Sequence, residues 1–499
     1  MKKALGLLRW GVVGGAALGA SLAMTIPAQA QVNVFDQDGF TIDVGATAAV
    51  YYNIQRNVWF GAGRDPFNTS GRITNTSVRD PSETDMAWQE AYVNPAAYVN
   101  YDMGEDGSIY GEFALVAGLT TQEGDPAGFT PSSPSDIDGE KYFLGWRSGT
   151  ALGDENLLDV SFGMQPFKVG RQFIFGRGKY SAGNDALYWL SPRYSFHRAG
   201  IVRVNTTPVR ADLFWLKTDH SPFVRNTQHA GINLEALDET TGFGTIGVMY
   251  DRILDVDGNP AFVANPNHRD DLNIYNIRYA GNPLESMPNW FFSAEFVWQR
   301  SSPDGISSFT FSPKPDVDAE AWYAEVGYSF AEMTWTPNIT YRFNHYSGDD
   351  PNTSEDEAYD GLHYGFEGWG TWYHGEVIGE YAIFNTNVDV HMVKITANPY
   401  DNLTLGAMWF NFTLDEPLDP FFFTSDDDYG NEFNLTADWF VNDNMSISAV
   451  YGVAFPGNGA RDAVAIAGFN ASTTGVNPQT GSPTDDNWHM LEVGAWVWF

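Results

Sequence analysis

Between residues 168 and 217 the chain carries Lys168, Arg171, Arg177, Lys179, Arg193, Arg198, Arg203, Arg210 and Lys217 against only Asp185 and Asp212. This is a local charge of +7 inside a chain whose formal net charge is −36. Arginine presents a planar fork of donors that matches carboxylate and phosphate. If these side chains converge on a water-filled passage, they form a positive constriction that attracts anionic solutes and lowers the barrier at the narrowest point. The candidates for lining it are Lys168, Arg171, Arg177, Arg198, Arg203 and Arg210, joined by Arg342 from a later segment. Arg342 has the clearest inward phase, whereas the segments holding Arg203 and Arg210 mix polar and apolar residues on both faces. Several of these cations could instead point toward lipid headgroups or pair with acidic neighbours.

Such a constriction needs a wall with one wet and one greasy face. In GFTIDVGATAAVYYNI, Phe40, Ile42, Val44, Ala46, Ala48, Val50, Tyr52 and Ile54 share one face, with Thr41, Asp43, Gly45, Thr47, Ala49, Tyr51 and Asn53 on the other. This alternation outlasts the usual soluble strand of about 5–6 residues and suits a tilted membrane strand. Leu158, Val160, Phe162 and Met164 oppose Asp159, Ser161, Gly163 and Gln165; Ile339, Tyr341 and Phe343 oppose Asn338, Thr340, Arg342 and Asn344. Further strand candidates, among them NWFFSAEFVWQR, GEVIGEYAIF and NMSISAVYGVAF, continue to the end of the chain with no helical segment between them. MGEDGS, NPYDN and VNDN read as tight periplasmic turns, whereas SGDDPNTSEDEAYDG and DEPLDPFFFTSDDDYGNE read as external loops. Short and long connections alternate in this way in outer-membrane barrels.

The two ends agree with that reading. Residues 1–30 place Lys2, Lys3 and Arg9 before a Gly/Ala-rich apolar stretch and an Ala28-Gln29-Ala30 site, the pattern of a cleaved signal peptide. The chain closes on LEVGAWVWF, where Leu491, Val493, Ala495, Val497 and Phe499 form one wholly apolar face. That fits a last lipid-facing strand, and resembles the C-terminal address read by the machinery that inserts Gram-negative barrels; a closing strand in a soluble sandwich is the alternative. Beyond residue 30 there are 24 basic and 63 acidic residues and no cysteine. Export without disulfides leaves stability to backbone pairing and burial, and the acidity excludes nucleic acid as a partner. Aromatic residues at 15% of the chain exclude disorder.

The expected architecture is therefore all-β: one transmembrane, antiparallel, up-and-down barrel over residues 31–499, of about eighteen strands with sixteen as the alternative. The segments SFGMQPFKVGRQFIFGRG, DALYWLSPRYSFHRAGIVRV, YRFNHYSGDDPNTSEDEAYDGLHYGF and NPYDNLTLGAMWFNF resemble the alginate export family of outer-membrane barrels. The shared pattern is Gly-Arg-Gln after a strand, an aromatic-rich loop, and a Tyr-Arg strand running into Ser-Gly-Asp. The resemblance implies an eighteen-stranded barrel whose arginine-rich pore passes an anionic polysaccharide outward, with Arg171, Arg203, Arg210 and Arg342 at the matching positions and a periplasmic export partner. This chain departs from that picture in its acidic loops and in having few basic residues elsewhere, which makes an anion channel the firmer expectation and alginate the narrower one.

Rival readings remain open at this level. A general or cation-preferring porin would be dominated by the acidic loops. Asp349, Asp350, Glu355, Asp356, Glu357 and Asp426 to Asp428 could hold divalent cations that bridge to lipopolysaccharide, although such runs are more often solvated surface. DVDGN from Asp255 begins like a calcium loop, but its twelfth position is Pro266, so an Asp-Gly turn is expected and no metal is assigned. An enzyme would need a catalytic constellation, and the nine histidines are scattered without a nucleophile elbow or zinc motif. An energy-coupled plugged transporter would need a large N-terminal domain before the strand pattern, which begins at Phe40. No catalytic residue and no cofactor is expected.

Overall fold

The computed structural model describes residues 31–66, 80–218, 226–238, 243–257, 271–284, 286–302, 315–418, 426–467 and 485–499, with Val78, Arg269 and Thr424. The expected signal peptide lies outside the described residues, as do Pro266 and part of the loop 415–432.

The strands begin with a short β1 (Val32–Gln37), followed by β2 (Phe40–Arg56), β3 (Met86–Asp102), β4 (Ser108–Gln122), β5 (Ser135–Arg147), β6 (Leu158–Gln165), β7 (Phe196–Asn205), β8 (Val209–Lys217) and β9 (Asn226–Asp238). They continue as β10 (Gly244–Asp257), β11 (Asn273–Gly281), β12 (Trp290–Ser301), β13 (Val317–Ser329), β14 (Asn338–Tyr346), β15 (Val388–Tyr400), β16 (Leu403–Thr413), β17 (Asp428–Asn442), β18 (Met445–Pro456) and β19 (Trp488–Trp498). From β2 onward each strand pairs antiparallel with the next, and β19 returns to β2 from His489↔Arg56 to Trp498↔Thr47. Eighteen strands thus close a barrel, so no ladder edge is left in the membrane. The seam is finished by Phe499, whose carbonyl accepts from the Ala46 N–H at 2.7 Å and whose own N–H donates back at 3.0 Å. β1 forms a hairpin on β2, from Gln37↔Phe40 to Val32↔Val44, beyond the reach of β19.

The period-two pattern sorts the side chains. In β19, Leu491 and Val493, like Phe499 just after it, are exposed on the outside, while Trp488, Met490, Glu492, Trp496 and Trp498 are buried inside. In β14 Ile339 and Tyr341 face out, and Arg342 and Asn344 are buried. Phase breaks where a bulge intervenes: the register shifts between Gly163 and Gln165, and Met164, expected to face lipid, is buried. The links 103–107, 206–208, 401–402 and 443–444 are short, and the connections 57–85, 166–195, 347–387 and 457–487 at the other end are long.

Two elements depart from the expected pattern. The segment GEVIGEYAIF is not a strand: Gly375 to Phe384 belongs to the long β14–β15 connection, includes the short helix Ile378–Tyr381, and is largely buried. A second helix, Asn458–Ala467, lies in the β18–β19 connection. The larger finding is that the connections 166–195 and 361–387 fold into the lumen. Phe173 packs on Tyr323 and Trp372 at ring separations of 5.2 and 4.9 Å, and Trp59 meets Trp488 at 5.3 Å. The two connections pair with each other, Gly176 N donating to His363 O at 2.8 Å and His363 N to Ile174 O at 3.1 Å. An apolar alternation in GEVIGEYAIF therefore reflects packing against an aromatic interior, not lipid.

Candidate functional site

An inward loop carries backbone N–H groups away from water, and each needs an acceptor. The wall supplies carboxylates. Glu90 on β3 accepts from Trp189 N (3.2 Å) and Leu190 N (2.8 Å), and Glu140 on β5 from Tyr194 N (2.8 Å) and Ser195 N (3.1 Å). Glu432 on β17 accepts from the N–H groups of Glu376, Val377 and Ile378 at 2.7, 3.0 and 2.7 Å. Gly375, at φ 99°, permits this approach: a Cβ there would stand 2.6 Å from Glu432 Oε1. Part of the acidity of the chain is thus interior, holding loops, and is not solvated surface.

The expected basic residues separate into three groups. Arg171, on the inward loop, is gripped by Glu325 and Glu367, both at 2.7 Å, and its carbonyl accepts from Trp372 Nε1 at 2.6 Å. Arg342 on β14 shares Glu325 at 3.4 Å, donates to Asn344 Oδ1 at 2.9 Å and to the Gly370 carbonyl, and lies 4.7 Å from the Trp372 ring. Farther around the wall Arg203 pairs with Asp212 at 2.7 Å, and Arg210 with Glu235 at 2.7 Å and Asp212 at 3.5 Å. These four face inward as required, but each is matched by a carboxylate. Arg198 does not line the lumen. It is exposed, opposite Lys217 across the ladder, because β7 turns Ala199 and Ile201 inward and the alternation sends Arg198 out.

Arg177 and Lys168 form the third group. Arg177 is only 5% exposed, and its Nε and Nη1 have no hydrogen-bond partner among the described residues. Its guanidinium lies 4.9 Å from the Tyr194 ring and 6.0 Å from those of Tyr180 and Tyr373. Lys168 lies 5.9 Å from the same Tyr194 ring. Lys168 is itself exposed to solvent, and partial desolvation, then the nearby Arg177 charge, lowers its ammonium below the ordinary range. Arg177 borders a cavity of about 80 Å³ shared by Tyr92, Trp189, Tyr373 and Trp496, with Glu376 and Glu380 from the second loop. Burial raises both carboxyls, Glu380 to about 8.

Sequence reasoning missed Glu376, Glu380, Trp189 and Tyr373, because nothing local shows that a connection will turn inward. It also missed Arg278 on β11, which pairs with Glu235 at 2.7 Å, and Lys394 on β15, which donates to the Trp369 carbonyl at 3.4 Å. Alternation could have found Arg278, since NIYNIRYAG places Asn276 and Arg278 on one face, whereas Lys394 shares its face with Val388, Val390 and Met392 and gives no such signal. On the rim, His345, Asp389 and Asp415 bring ligand atoms within 4.8 Å of one another, His345 bonding Asp389 at 2.7 Å. A lone group of this kind is common without an ion.

Residues 167–471 match the family model described as alginate export. No curated protein matches the sequence. Among solved structures, a BenF-like porin from Pseudomonas fluorescens Pf-5 is similar at 10% identity and a TM-score of 0.54, covering 92% of this chain and 99% of its own. Two structures from Pseudomonas aeruginosa, OccK9 (OpdG) and OccK2 (OpdF), are similar at 8% and 9% identity with TM-scores of 0.53 and 0.51, covering 92% of this chain and 98% of their own. At these identities the likeness is one of fold.

Proposed function

The chain belongs to the alginate export family and is an outer-membrane β-barrel channel of a Gram-negative bacterium, and on that premise we propose that the solute it passes is anionic. The observation that carries this is Arg177: a buried cation with no carboxylate at ion-pair distance among the described residues, Glu380 acting on it only from across the cavity, and flanked by Lys168 across one tyrosine ring. Arg171, Arg203, Arg210 and Arg342 add little net field, because Glu325, Glu367, Asp212 and Glu235 neutralise them. Their role is to shape the wall, and attraction falls to the unpaired pair. An acidic polysaccharide such as alginate has the carboxylates for Arg177 and the ring faces for the tyrosines, but the cavity of about 80 Å³ beside Arg177 does not admit a sugar acid, so the inward loops must shift before a polymer can reach it and thread. Binding stays weak, as conduction requires.

The reading is of a channel and not an enzyme. It includes residues 1–30 as a secretory leader, the Phe499 strand as the address for the insertion machinery, contact with lipopolysaccharide, and a periplasmic export partner by family likeness. The test is the reversal potential of the reconstituted protein in a salt gradient. Anion preference that falls in R177Q and K168Q, and changes little in R203Q, supports the assignment. Cation preference unaffected by R177Q sinks it and leaves an acidic general porin.

A further inference from the structure

The cavity beside Arg177 has a second pole. Glu376 borders it, is 2% exposed, and its Oε1 has no hydrogen-bond partner among the described residues. The charged groups that interact with Glu376 are Glu380 on its own loop, Glu432 and Asp438 on β17, and Glu492 on β19, all of its own sign. A buried carboxyl among carboxylates either keeps its proton or takes up a cation. The surrounding rings of Tyr92, Trp189, Tyr373 and Trp496 offer the faces that attract a cation. Size narrows the choice further. A cavity of 80 Å³ holds roughly five to eight water-sized atoms at about 10–15 Å³ each. That is the size of a carboxylate and an ammonium joined through one or two carbons, and too small for a sugar acid.

We propose that this cavity binds a small zwitterion of the amino-acid type, its carboxylate on Arg177 and its ammonium at Glu376 against the aromatic rings. The proposal rests on Arg177 facing the solute path, and adds that the site distinguishes bipolar solutes from simple anions. Acetate satisfies Arg177 and leaves Glu376 unmatched; methylammonium does the reverse; alanine satisfies both. Burial and the neighbouring carboxylates keep Glu376 protonated when the cavity holds no cation. An arriving ammonium breaks that O–H bond in favour of an ion pair, and the proton passes to solvent with no change in the ligand. Binding therefore tightens as pH rises.

The experiment is calorimetric titration of the full-length detergent-solubilised barrel with L-alanine, acetate and methylammonium. Alanine is expected to bind at least tenfold more tightly than either fragment. R177Q should lose alanine and acetate together, and E376Q should lose the preference for alanine while keeping acetate. In the unaltered protein, the dependence of the heat on buffer should show about one proton released per alanine bound. Equal binding of alanine and acetate, unchanged alanine affinity in E376Q, or no proton release overturns the proposal. The channel reading is separately exposed: anion preference lost in R177Q without alanine binding defeats the zwitterion site alone.

Discussion

Arg171 and Glu325 meet at 2.7 Å across the boundary between loop and wall, the guanidinium coming from the inward connection and the carboxylate from β13. The other oxygen of Glu325 faces Arg342 at 3.4 Å, so one carboxylate neutralises two cations. Replacing it as E325Q strips that charge while keeping the shape. The expected outcome is a severalfold gain in anion over cation permeability, read as reversal potential. Leaving the fully buried Arg342 without its counterion should also cost about 3 kcal/mol, read as a lower unfolding midpoint.

The second prediction concerns how the loop is held. Glu432 accepts three successive N–H groups of the β14–β15 connection, and hydrogen bonds of this kind are each worth about 0.5–1.5 kcal/mol. E432A should release residues 375–381 with the barrel intact. Conductance is expected to rise, with new protease cleavage near Gly375 in the folded protein. G375A should give the same phenotype for a steric reason, since its Cβ would crowd Glu432 Oε1. An unchanged conductance in both variants would show that this loop does not restrict the pore.

A third prediction follows from two histidines on the same inward connection. His363 contacts Thr227 Oγ1 at 3.1 Å and His229 Nε2 at 3.2 Å; His374 contacts the Tyr346 hydroxyl at 2.8 Å. Burial lowers both well below the ordinary value, with His229 and Arg269 adding to the effect at His363 and Arg342 at His374. A base whose docked value is depressed favours docking fully above its ordinary value, near 6.5, and loses that contribution as pH falls below it. The loss is up to about 1.4 kcal/mol per histidine per pH unit. Channel opening should therefore increase on acidification below about pH 6.5, and H363Q/H374Q should flatten that dependence.

The fourth prediction separates the two faces of the closing strand. Leu491 is 43% exposed on the outside, whereas the adjacent Glu492 is buried and accepts from the Tyr51 hydroxyl at 2.7 Å and Asn53 Nδ2 at 2.6 Å. L491R puts a charge in lipid and should destabilise the barrel by about 2–4 kcal/mol if near the midplane. E492Q, one residue away, should leave insertion unchanged. Refolding into lipid vesicles, followed by the mobility shift of the folded band, measures both.

The barrel itself is legible in the chain because lipid and water impose opposite demands on alternate residues. Leu491, Val493 and Phe499 against Glu492, and Tyr341 against Arg342, declare their faces without reference to any other strand. A period of two also carries the strand length, and the polar links between strands show where each ends. By the same rule Arg342 falls on an inward face, and so, on segments of more mixed character, do Arg203 and Arg210.

What the tertiary structure decided is the content of the lumen. No local pattern tells a loop that stays outside from one that turns in, since an aromatic interior and a lipid exterior reward the same apolar residues. GEVIGEYAIF reads as a strand for that reason and is a buried connection. Charge has the same limit: a +7 stretch counts its cations but not most of their partners, since Asp212 lies within it while Glu325, Glu367 and Glu235 lie outside. Glu325 meets Arg171 from a separation of 154 residues and Glu235 meets Arg278 from 43, so only closure of the barrel shows which cations are cancelled. Arg177 is distinguished from Arg171, Arg203, Arg210 and Arg342, the other inward arginines expected to line the pore, by the lack of a carboxylate at ion-pair distance among the described residues, a property of the folded neighbourhood and not of the residue.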